Sequence, residues 1–297
     1  MKVALMDLDN SGFPNLALMK LAAWHKARGD DVQLNFLMGA EKVYASCIFS
    51  WNKKKVTSLP SETILGGWPL NTTSLTEEVE HIMPDYELYG KSWSIGFTSR
   101  GCYHTCPWCI VPQKEGPIQS WASIYEFWNP IHRRIKVLDN NLLAAPNAHE
   151  TLQTLIIEGL EVDFCQGLDI RLVGEREAEL LAQVKTWGIL RFAFDRSEDE
   201  SQVRIGIERL TKMGIHPTKL MFYMLFGAGE TPEQNKRRLE VLNEYRVAVF
   251  PMFYVPLDSP SKISLDPPNI PKNALEYPQV RGPRGSYQKM FRRLKGG

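Results

Sequence analysis

The stretch SRGCYHTCPWCIVP, residues 99–112, holds three of the five cysteines of this chain. Cys102, Cys106 and Cys109 follow the spacing C-x3-C-x2-C, so a short loop can fold all three sulfurs around one centre. Such tight clustering makes three unrelated buried cysteines a poor explanation. A structural zinc site is one alternative, but it takes four protein ligands, and His104 is the candidate for the fourth. The other is an iron–sulfur cluster on three thiolates, which leaves one iron open for a substrate or cofactor.

The composition bounds the class of protein. A chain of 297 residues with 43% hydrophobic content can bury a large core, as one domain or as two smaller ones. Its few cysteines do not predict a disulfide framework and fit a reducing compartment. The start, MKVALMDLDNSGFP, lacks a signal-type apolar run, and no stretch is long enough to cross a bilayer. We therefore expect a soluble, cytoplasmic protein without a membrane partner. The net charge of +1 gives no general argument for nucleic acid.

Strand and helix patterns divide the chain. Residues 1–90 are predicted to form a small α/β unit. Over residues 91–255, short β-rich runs alternate with amphipathic helices long enough for parallel crossovers, the first of them over residues 120–129. The strand candidates are WSIGFTS, IKVLDN, VDFCQG, LRFAFD, LMFYMLFG and VAVFPMFY. Six strands instead of eight predict a partial (β/α)6 barrel of the TIM type.

The cysteine motif, with the aromatic Trp108 before its last cysteine, resembles the signature of the radical S-adenosylmethionine (SAM) superfamily. The flanking TSRGC and CIVP resemble its cobalamin-binding-type and methylthiotransferase-type branches. The resemblance covers residues 93–255 and implies a 4Fe-4S cluster on the three cysteines, with SAM on the open iron. It also implies an enzyme to which an electron donor such as flavodoxin or ferredoxin supplies an electron. SAM is then cleaved to a 5′-deoxyadenosyl radical, which abstracts hydrogen from a substrate.

The resemblance further implies SAM contacts at the ends of the later strands. Asp139 and Asn140 stand after the second strand, where the superfamily has a Gly-Gly-Glu type segment, and Asp139 supplies a carboxylate for the SAM ammonium group. The alternative for this stretch is an ordinary turn. After the third strand, Asp169 and Arg171 bind substrate or the SAM carboxylate, or pair with each other as a structural ion pair.

The fourth strand ends in FAFDRS, where the superfamily has polar contacts to ribose or carboxylate. Asp195 and Arg196 are the candidates. The alternative is that Asp195 or Ser197 caps the helix that follows.

The fifth strand ends in MLFGAGETPEQ, which resembles the superfamily's glycine-rich segment. Gly227 and Gly229 would let the backbone approach a ligand closely. Glu230 is expected to orient backbone near the adenine of SAM. We also predict that Thr231 caps the next helix, with Pro232 at its first position.

Residues 1–90 occupy the position of the Rossmann-like, cobalamin-binding-type domain of one branch. ILGGWPL resembles the GGxHP segment of such domains, but the D-x-H-x-x-G cobalamin motif is absent. The domain either binds cobalamin without a lower histidine ligand or serves as a lid or substrate platform, and the missing histidine favours the second. The methylthiotransferase branch has three further cysteines here, and this chain has only Cys47.

Residues 256–297 are predicted to form a proline-rich segment and a basic C-terminal helix. The basic residues allow a nucleic-acid role, but apolar residues at helical spacing favour a docked terminal helix. Two other classes stay open for the whole chain: an enzyme of SAM- or cobalamin-dependent methyl transfer or methylthiolation, and a zinc-stabilised binding protein. The substrate, small molecule or macromolecule, cannot be read from the sequence.

Overall fold

The computed structural model describes residues 1–70 and 74–254. The predicted proline-rich segment and basic helix, residues 256–297, lie outside the described residues. The strands are β1 (Lys2–Asp7), β2 (Asp31–Leu34), β3 (Lys42–Ser46), β4 (Ile64–Gly66), β5 (Ser94–Gly96), β6 (Ser99–Arg100), β7 (Gln119–Ser120), β8 (Arg134–Val137), β9 (Glu161–Phe164), β10 (Lys185–Thr186), β11 (Leu190–Ala193), β12 (Leu220–Phe226) and β13 (Ala248–Phe253). The α-helices are α1 (Leu16–Lys26), α2 (Glu77–Glu80), α3 (Val111–Glu115), α4 (Ala148–Ile157), α5 (Glu175–Gln183), α6 (Glu200–Lys212) and α7 (Pro232–Glu244).

The chain divides into two compact units. The first comprises Met1–Phe97 and Ala122–Lys136, and the second comprises Thr98–Trp121 and the described residues from Val137 onward. Within the described ranges, no helix is both long enough and apolar enough to cross a membrane.

A four-stranded parallel sheet organises the first unit. Its strand order is β2-β1-β3-β4, and helix α1 connects the parallel neighbours β1 and β2. Leu5 of β1 packs with Leu18 and Leu21 of α1 in a hydrophobic cluster, because the sheet and the helix each bury one apolar face. The predicted α/β character of this region, with parallel strands, is confirmed, and a separate domain over residues 1–90 stays a prediction.

Parallel strands and amphipathic helices also build the second unit. Strands β11, β12 and β13 pair in parallel in that order, and β9 pairs in parallel with β10. Along β12 alternate residues are buried, and the ring of Phe222 stacks on that of Phe192 with centroids 5.6 Å apart. Each of the six strand candidates overlaps an observed strand, of which β5 and most of β8 belong to the first unit, so a mixed α/β fold with parallel sheets is confirmed. The closure of these strands into one partial barrel stays a prediction.

The helix predicted over residues 120–129 is wrong. The structure has only the 3-10 turn Ile124–Glu126 there, which Ser123 caps. The carbonyl of Phe127 accepts a hydrogen bond from the buried Tyr86 hydroxyl instead of a helical N–H. A tertiary contact therefore overrides the helical pattern of the segment.

Candidate functional site

The loop that carries the three cysteines starts and ends at a short antiparallel pair, β6 with β7. The N–H of Cys102 donates to the carbonyl of Gly116 at 3.2 Å, which closes the loop. Gly101, just before the first cysteine, has φ +80°, and a Cβ there would lie 2.2 Å from the carbonyl oxygen of Pro117. Only glycine fits this position, because both the backbone angle and the space exclude a side chain.

Glu115 fixes the base of this loop, and sequence reasoning missed it. Its Oε2 accepts hydrogen bonds from the N–H of Gly101 at 3.2 Å and from Nδ2 of Asn140 at 2.7 Å. Arg100 Nε lies 3.2 Å from the same oxygen, and the Glu115 side chain is almost fully buried. The amide of Asn140, a predicted SAM contact, is thus engaged with Glu115. A single glutamate between Lys114 and Gly116 forms no recognisable motif, so the sequence does not predict this role.

The three cysteine side chains are half-buried. Burial raises the pKa of the Cys106 and Cys109 thiols, and the other thiols of the loop raise it further. The positive charges of Arg171 and Arg196 act in the opposite direction on Cys106. Cys106 therefore lies in the electrostatic field of two guanidinium groups, which suits a centre that carries negative charge.

The arrangement of the loop bears on the choice between zinc and an iron–sulfur cluster. In the part of the chain that the structure describes, no three His, Cys, Asp or Glu side chains converge to hold a single metal ion. Cysteine ligands of one zinc sit about 2.3 Å from the metal and must crowd within about 4 Å of one another. His104, the candidate fourth zinc ligand, turns away, with Nε2 2.8 Å from Asp169 Oδ2. A four-iron cluster binds each thiolate through a separate iron, so its three cysteine sulfurs surround one centre at wider spacing than the ligands of one zinc.

Asp139 lies directly after β8, and its carboxylate is engaged within the protein. The N–H and Oγ1 of Thr98 each donate to it at 2.7 Å, and Oγ of Ser99 donates at 2.5 Å. Desolvation raises the pKa of this buried carboxyl, against the effect of the hydrogen bonds. These contacts join the end of β8 to the strand that leads into the cysteine loop. They favour a positioning role for Asp139 over the predicted contact to an ammonium group.

Asn141, two residues further on, contacts the first cysteine. Its Nδ2 lies 3.8 Å from Sγ of Cys102 and 3.3 Å from Oδ2 of Asp169. The side chain is 5% exposed, and its Oδ1 is buried without a hydrogen-bond partner among the described residues. An unpaired buried acceptor costs about 1–3 kcal/mol. The sequence offered only its place in the Asp-Asn-Asn run, which did not distinguish it from Asn140.

Asp169 accepts hydrogen bonds from several parts of the site. Its donors include Nε of Arg171 at 2.7 Å, Nε2 of His104 at 2.8 Å and the hydroxyl of Tyr103 at 3.3 Å, besides Asn141. Burial acts to raise its pKa, but the hydrogen bonds from Arg171 and His104 and the charge of Arg171 outweigh it and hold the pKa at about 2. The predicted alternative of an ion pair between Asp169 and Arg171 is confirmed.

The charged residues after β11 continue this network. Nη1 of Arg171 lies 3.2 Å from Oδ2 of Asp199, and Arg196 donates to both oxygens of the same carboxylate at 3.1 and 3.0 Å. Asp195 instead accepts the N–H of Leu225 at 2.9 Å, and desolvation raises its pKa. The alternative that Asp195 or Ser197 caps the next helix is wrong, because Asp199 holds that position.

The glycine-rich segment after β12 has the predicted local structure. Gly227 and Gly229 have φ of 82° and 106°, where side chains other than glycine are strained. Thr231 caps α7, with its Oγ1 accepting the N–H of Gln234 at 3.2 Å and Pro232 in the first turn. Both parts of the capping prediction are confirmed.

Arg238 of α7 is a further residue that sequence reasoning missed. It is 0% exposed and donates to the carbonyls of Phe194 and Leu225, so it joins the ends of β11 and β12. Desolvation lowers its pKa to about 10, although Asp195 and Glu230 oppose this. Oε2 of Glu230 lies 4.0 Å from Nε of Arg238, and neither atom has a hydrogen-bond partner in the described part of the chain.

Trp108, the remaining predicted contact, is half-buried in the cysteine loop.

Comparison with known proteins gives little guidance. No protein-family model and no curated protein matches this chain. Two solved structures of the cobalamin-dependent S-adenosylmethionine radical enzyme OxsB are similar at 14% identity. The one with aqua-cobalamin and S-adenosylmethionine bound has a TM-score of 0.42, and the one with aqua-cobalamin bound has 0.44. The chain spans 55% of the length of these structures, which cover 99% of it. At this identity and TM-score the likeness carries no argument about function.

Proposed function

We propose that this chain is a radical SAM enzyme. Cys102, Cys106 and Cys109 would hold a 4Fe-4S cluster, and the loops after the parallel strands of the second unit would hold SAM. The observation that carries the proposal is the unpartnered, buried Oδ1 of Asn141, whose amide contacts a cysteine of the C-x3-C-x2-C loop. A buried acceptor in this place is available to a donor from a ligand.

The chemistry of the surrounding groups fits SAM. Its ammonium group can donate to Oδ1 of Asn141, so we transfer to Asn141 the contact first expected of Asp139. Its carboxylate and the negatively charged cluster both suit the guanidinium groups of Arg171 and Arg196, whose charges act on Cys106. Gly227 and Gly229 would leave the backbone open to the adenosine part, beside the free Oε2 of Glu230.

When bound, such a cluster would supply the one-electron chemistry for reductive cleavage of SAM and for hydrogen abstraction from a substrate, with a donor such as reduced flavodoxin or ferredoxin as the source of the electron. The chain's own residues provide position. Glu115 and Asp139 hold the two ends of the cysteine loop, and Asp169 orients Asn141 through a direct hydrogen bond.

The domain organisation belongs to the same proposal. Residues 91–255 would form the partial barrel, and residues 1–90 a lid or substrate platform. In the loop DLDNSGFPN after β1, the Asp9 carboxylate accepts from the N–H of Phe49 at 3.2 Å and from Nδ2 of Asn52 at 2.9 Å. This loop is therefore fixed by its own contacts and supplies no histidine for cobalamin.

The test is an anaerobic reconstitution of the protein with iron and sulfide, followed by reduction with dithionite and addition of SAM. We expect an iron–sulfur absorbance spectrum and release of 5′-deoxyadenosine. Cys106→Ala should abolish both, because two thiolates do not hold the cluster. The matched control is Cys165→Ala, which removes a half-buried thiol outside the motif and should leave both unchanged.

Other products decide between the alternatives. S-adenosylhomocysteine without deoxyadenosine, from a well-formed cluster, would contradict the radical reaction in favour of methyl transfer. Zinc without iron or sulfide after anaerobic purification would refute the proposal as a whole.

A further inference from the structure

The amide group of Asn141 has a fixed orientation. Its Nδ2 carries two hydrogens and faces two acceptors, Sγ of Cys102 at 3.8 Å and Oδ2 of Asp169 at 3.3 Å. A flipped amide would place Oδ1 against the Asp169 carboxylate, so the charge of that carboxylate excludes the flip. Asn141 therefore presents an N–H, and not its oxygen, to the sulfur.

Asp169 is held in turn by groups that cannot easily move. Arg171 donates to its two oxygens from Nε at 2.7 Å and from Nη2 at 2.9 Å, and Nε2 of His104 lies 2.8 Å from Oδ2. Asp169 is 8% exposed, so water competes little for these bonds. The carboxylate thus acts as a rigid support for the Asn141 amide. The backbone N–H of His104 also points to Cys102, at 3.4 Å from its Sγ.

We infer that Asn141 is a positioning residue that sets the reduction potential of the cluster through its hydrogen bond to the Cys102 thiolate. The inference rests on the proposed function, because it requires the cluster. Reduction adds one electron to the cluster and so one negative charge, part of which lies on the cysteine sulfurs. A donated N–H stabilises the reduced form more than the oxidised form and raises the potential. Asn141 would thereby make the cluster easier to reduce for a one-electron protein donor.

The test is a redox titration of the reconstituted cluster without SAM, followed by electron paramagnetic resonance. Asn141→Leu keeps the size of the side chain and removes the N–H. We expect iron and sulfide content equal to wild type and a potential shifted to more negative values. Asn141→Asp should shift the potential further, because it adds a negative charge. The matched control is Asn147→Leu, since Nδ2 of Asn147 donates to the Thr98 carbonyl at 2.9 Å and not to a sulfur. Its potential should equal that of wild type.

The outcomes separate this inference from the proposed function. An unchanged potential in a fully loaded Asn141→Leu protein would overturn the inference and leave the radical SAM assignment in place. Failure of wild type to assemble a cluster would overturn both.

A second measurement covers the case in which Asn141→Leu does not fold or load. Wild-type protein labelled with 15N in asparagine side chains should show a weak nitrogen coupling to the reduced cluster in pulsed electron paramagnetic resonance. The absence of that coupling would overturn the inference without any variant.

Discussion

The loops that follow parallel strands differ between the two units in how completely their polar groups are paired. In the first unit, the Asp7 carboxylate after β1 accepts the N–H groups of Asp9 and Asn10, both at 3.1 Å, and the hydroxyl of Tyr89 at 2.8 Å. Asp9 in turn accepts N–H groups from the loop after β3. All four oxygens of these two carboxylates have donors within the unit.

In the second unit the corresponding loops leave acceptors unpaired. Oδ1 of Asn141 and Oε2 of Glu230 are buried without a hydrogen-bond partner among the described residues, although Arg238 lies within ion-pair distance of Glu230. Since an unpaired buried acceptor lowers stability, such atoms are expected where a protein exchanges stability for ligand binding. The Asp7 and Asp9 carboxylates of the first unit are thus satisfied within the unit, whereas the second unit holds buried acceptors that, under the proposed function, a ligand would satisfy.

The largest expected difference concerns the cysteines of the two units. Cys102→Ala should remove all cluster iron from the reconstituted protein, because a motif ligand is lost. Cys47→Ala in the first unit should leave iron and sulfide content unchanged, since burial raises the pKa of this thiol to about 11 and makes it inert. Metal analysis after anaerobic reconstitution checks both. Equal iron loss in the two variants would refute the assignment of the cluster to the second unit.

Arg238→Met should cause the second-largest effect, a loss of unfolding free energy in the second unit. The substitution leaves the buried charges of Asp195 and Glu230 without their cation and two carbonyls without a donor. Breaking such a buried arrangement costs about 3–5 kcal/mol of unfolding free energy. Urea unfolding of the metal-free protein measures the loss. Arg238→Lys, which keeps the charge, is the control and should recover part of it.

Asp9→Ala should destabilise the first unit because it removes the carboxylate that accepts hydrogen bonds from the N–H of Phe49 and from Nδ2 of Asn52. The expected loss is about 2–3 kcal/mol of unfolding free energy, the range for hydrogen bonds to a charged group that leave partners unsatisfied. The same urea experiment applies, and Asp31→Ala, at an exposed position of β2, serves as control. If Asp9→Ala lowered the unfolding free energy no more than Asp31→Ala does, the hydrogen bonds of Asp9 would not stabilise the first unit.

The Asp169 carboxyl predicts a pH dependence for the second unit. Its pKa in the folded protein is about 2, below the ordinary value of 3.8. The stabilisation is therefore fully present above about pH 4 and is lost as the pH falls through about 2. A shift of this size corresponds to about 2 kcal/mol. Urea unfolding of wild type and Asp169→Asn between pH 6 and pH 2 should show a stability difference that narrows only at the acid end of that range. A constant difference would count against this ionisation.

The smallest effect is expected for Asn141→Leu in the metal-free protein. The substitution loses the hydrogen bond to Asp169 and also removes the unpaired Oδ1, and these two contributions oppose each other. We expect a change within about 1 kcal/mol of unfolding free energy. A loss as large as that of Asp9→Ala would show that Asn141 is a structural residue like those of the first unit.

The strands, the cysteine loop and the start of α7 could be predicted from short stretches of sequence. The spacing of Cys102, Cys106 and Cys109 marked the loop, and the strand candidates coincided with β5, β8, β9, β11, β12 and β13. The cap formed by Thr231 and Pro232 was also predicted, because a helix start depends on side chains within one turn of the backbone. The helix predicted over residues 120–129 is wrong because the conformation of this segment depends on a distant residue. The Tyr86 hydroxyl donates to the Phe127 carbonyl, and no local pattern reveals that contact.

The positions of the strands and of the cysteine loop follow from local sequence, because hydrophobic period, capping and motif spacing are properties of neighbouring residues. The roles of the polar side chains depend on tertiary contacts. Asp139 and Asn141 stand two positions apart, yet the first accepts hydrogen bonds from Thr98 and Ser99, whereas the second points its Nδ2 at Sγ of Cys102 and keeps an unpaired Oδ1. Hydrogen-bond partners and burial arise from chain segments tens of residues away, so no local pattern could separate these two residues.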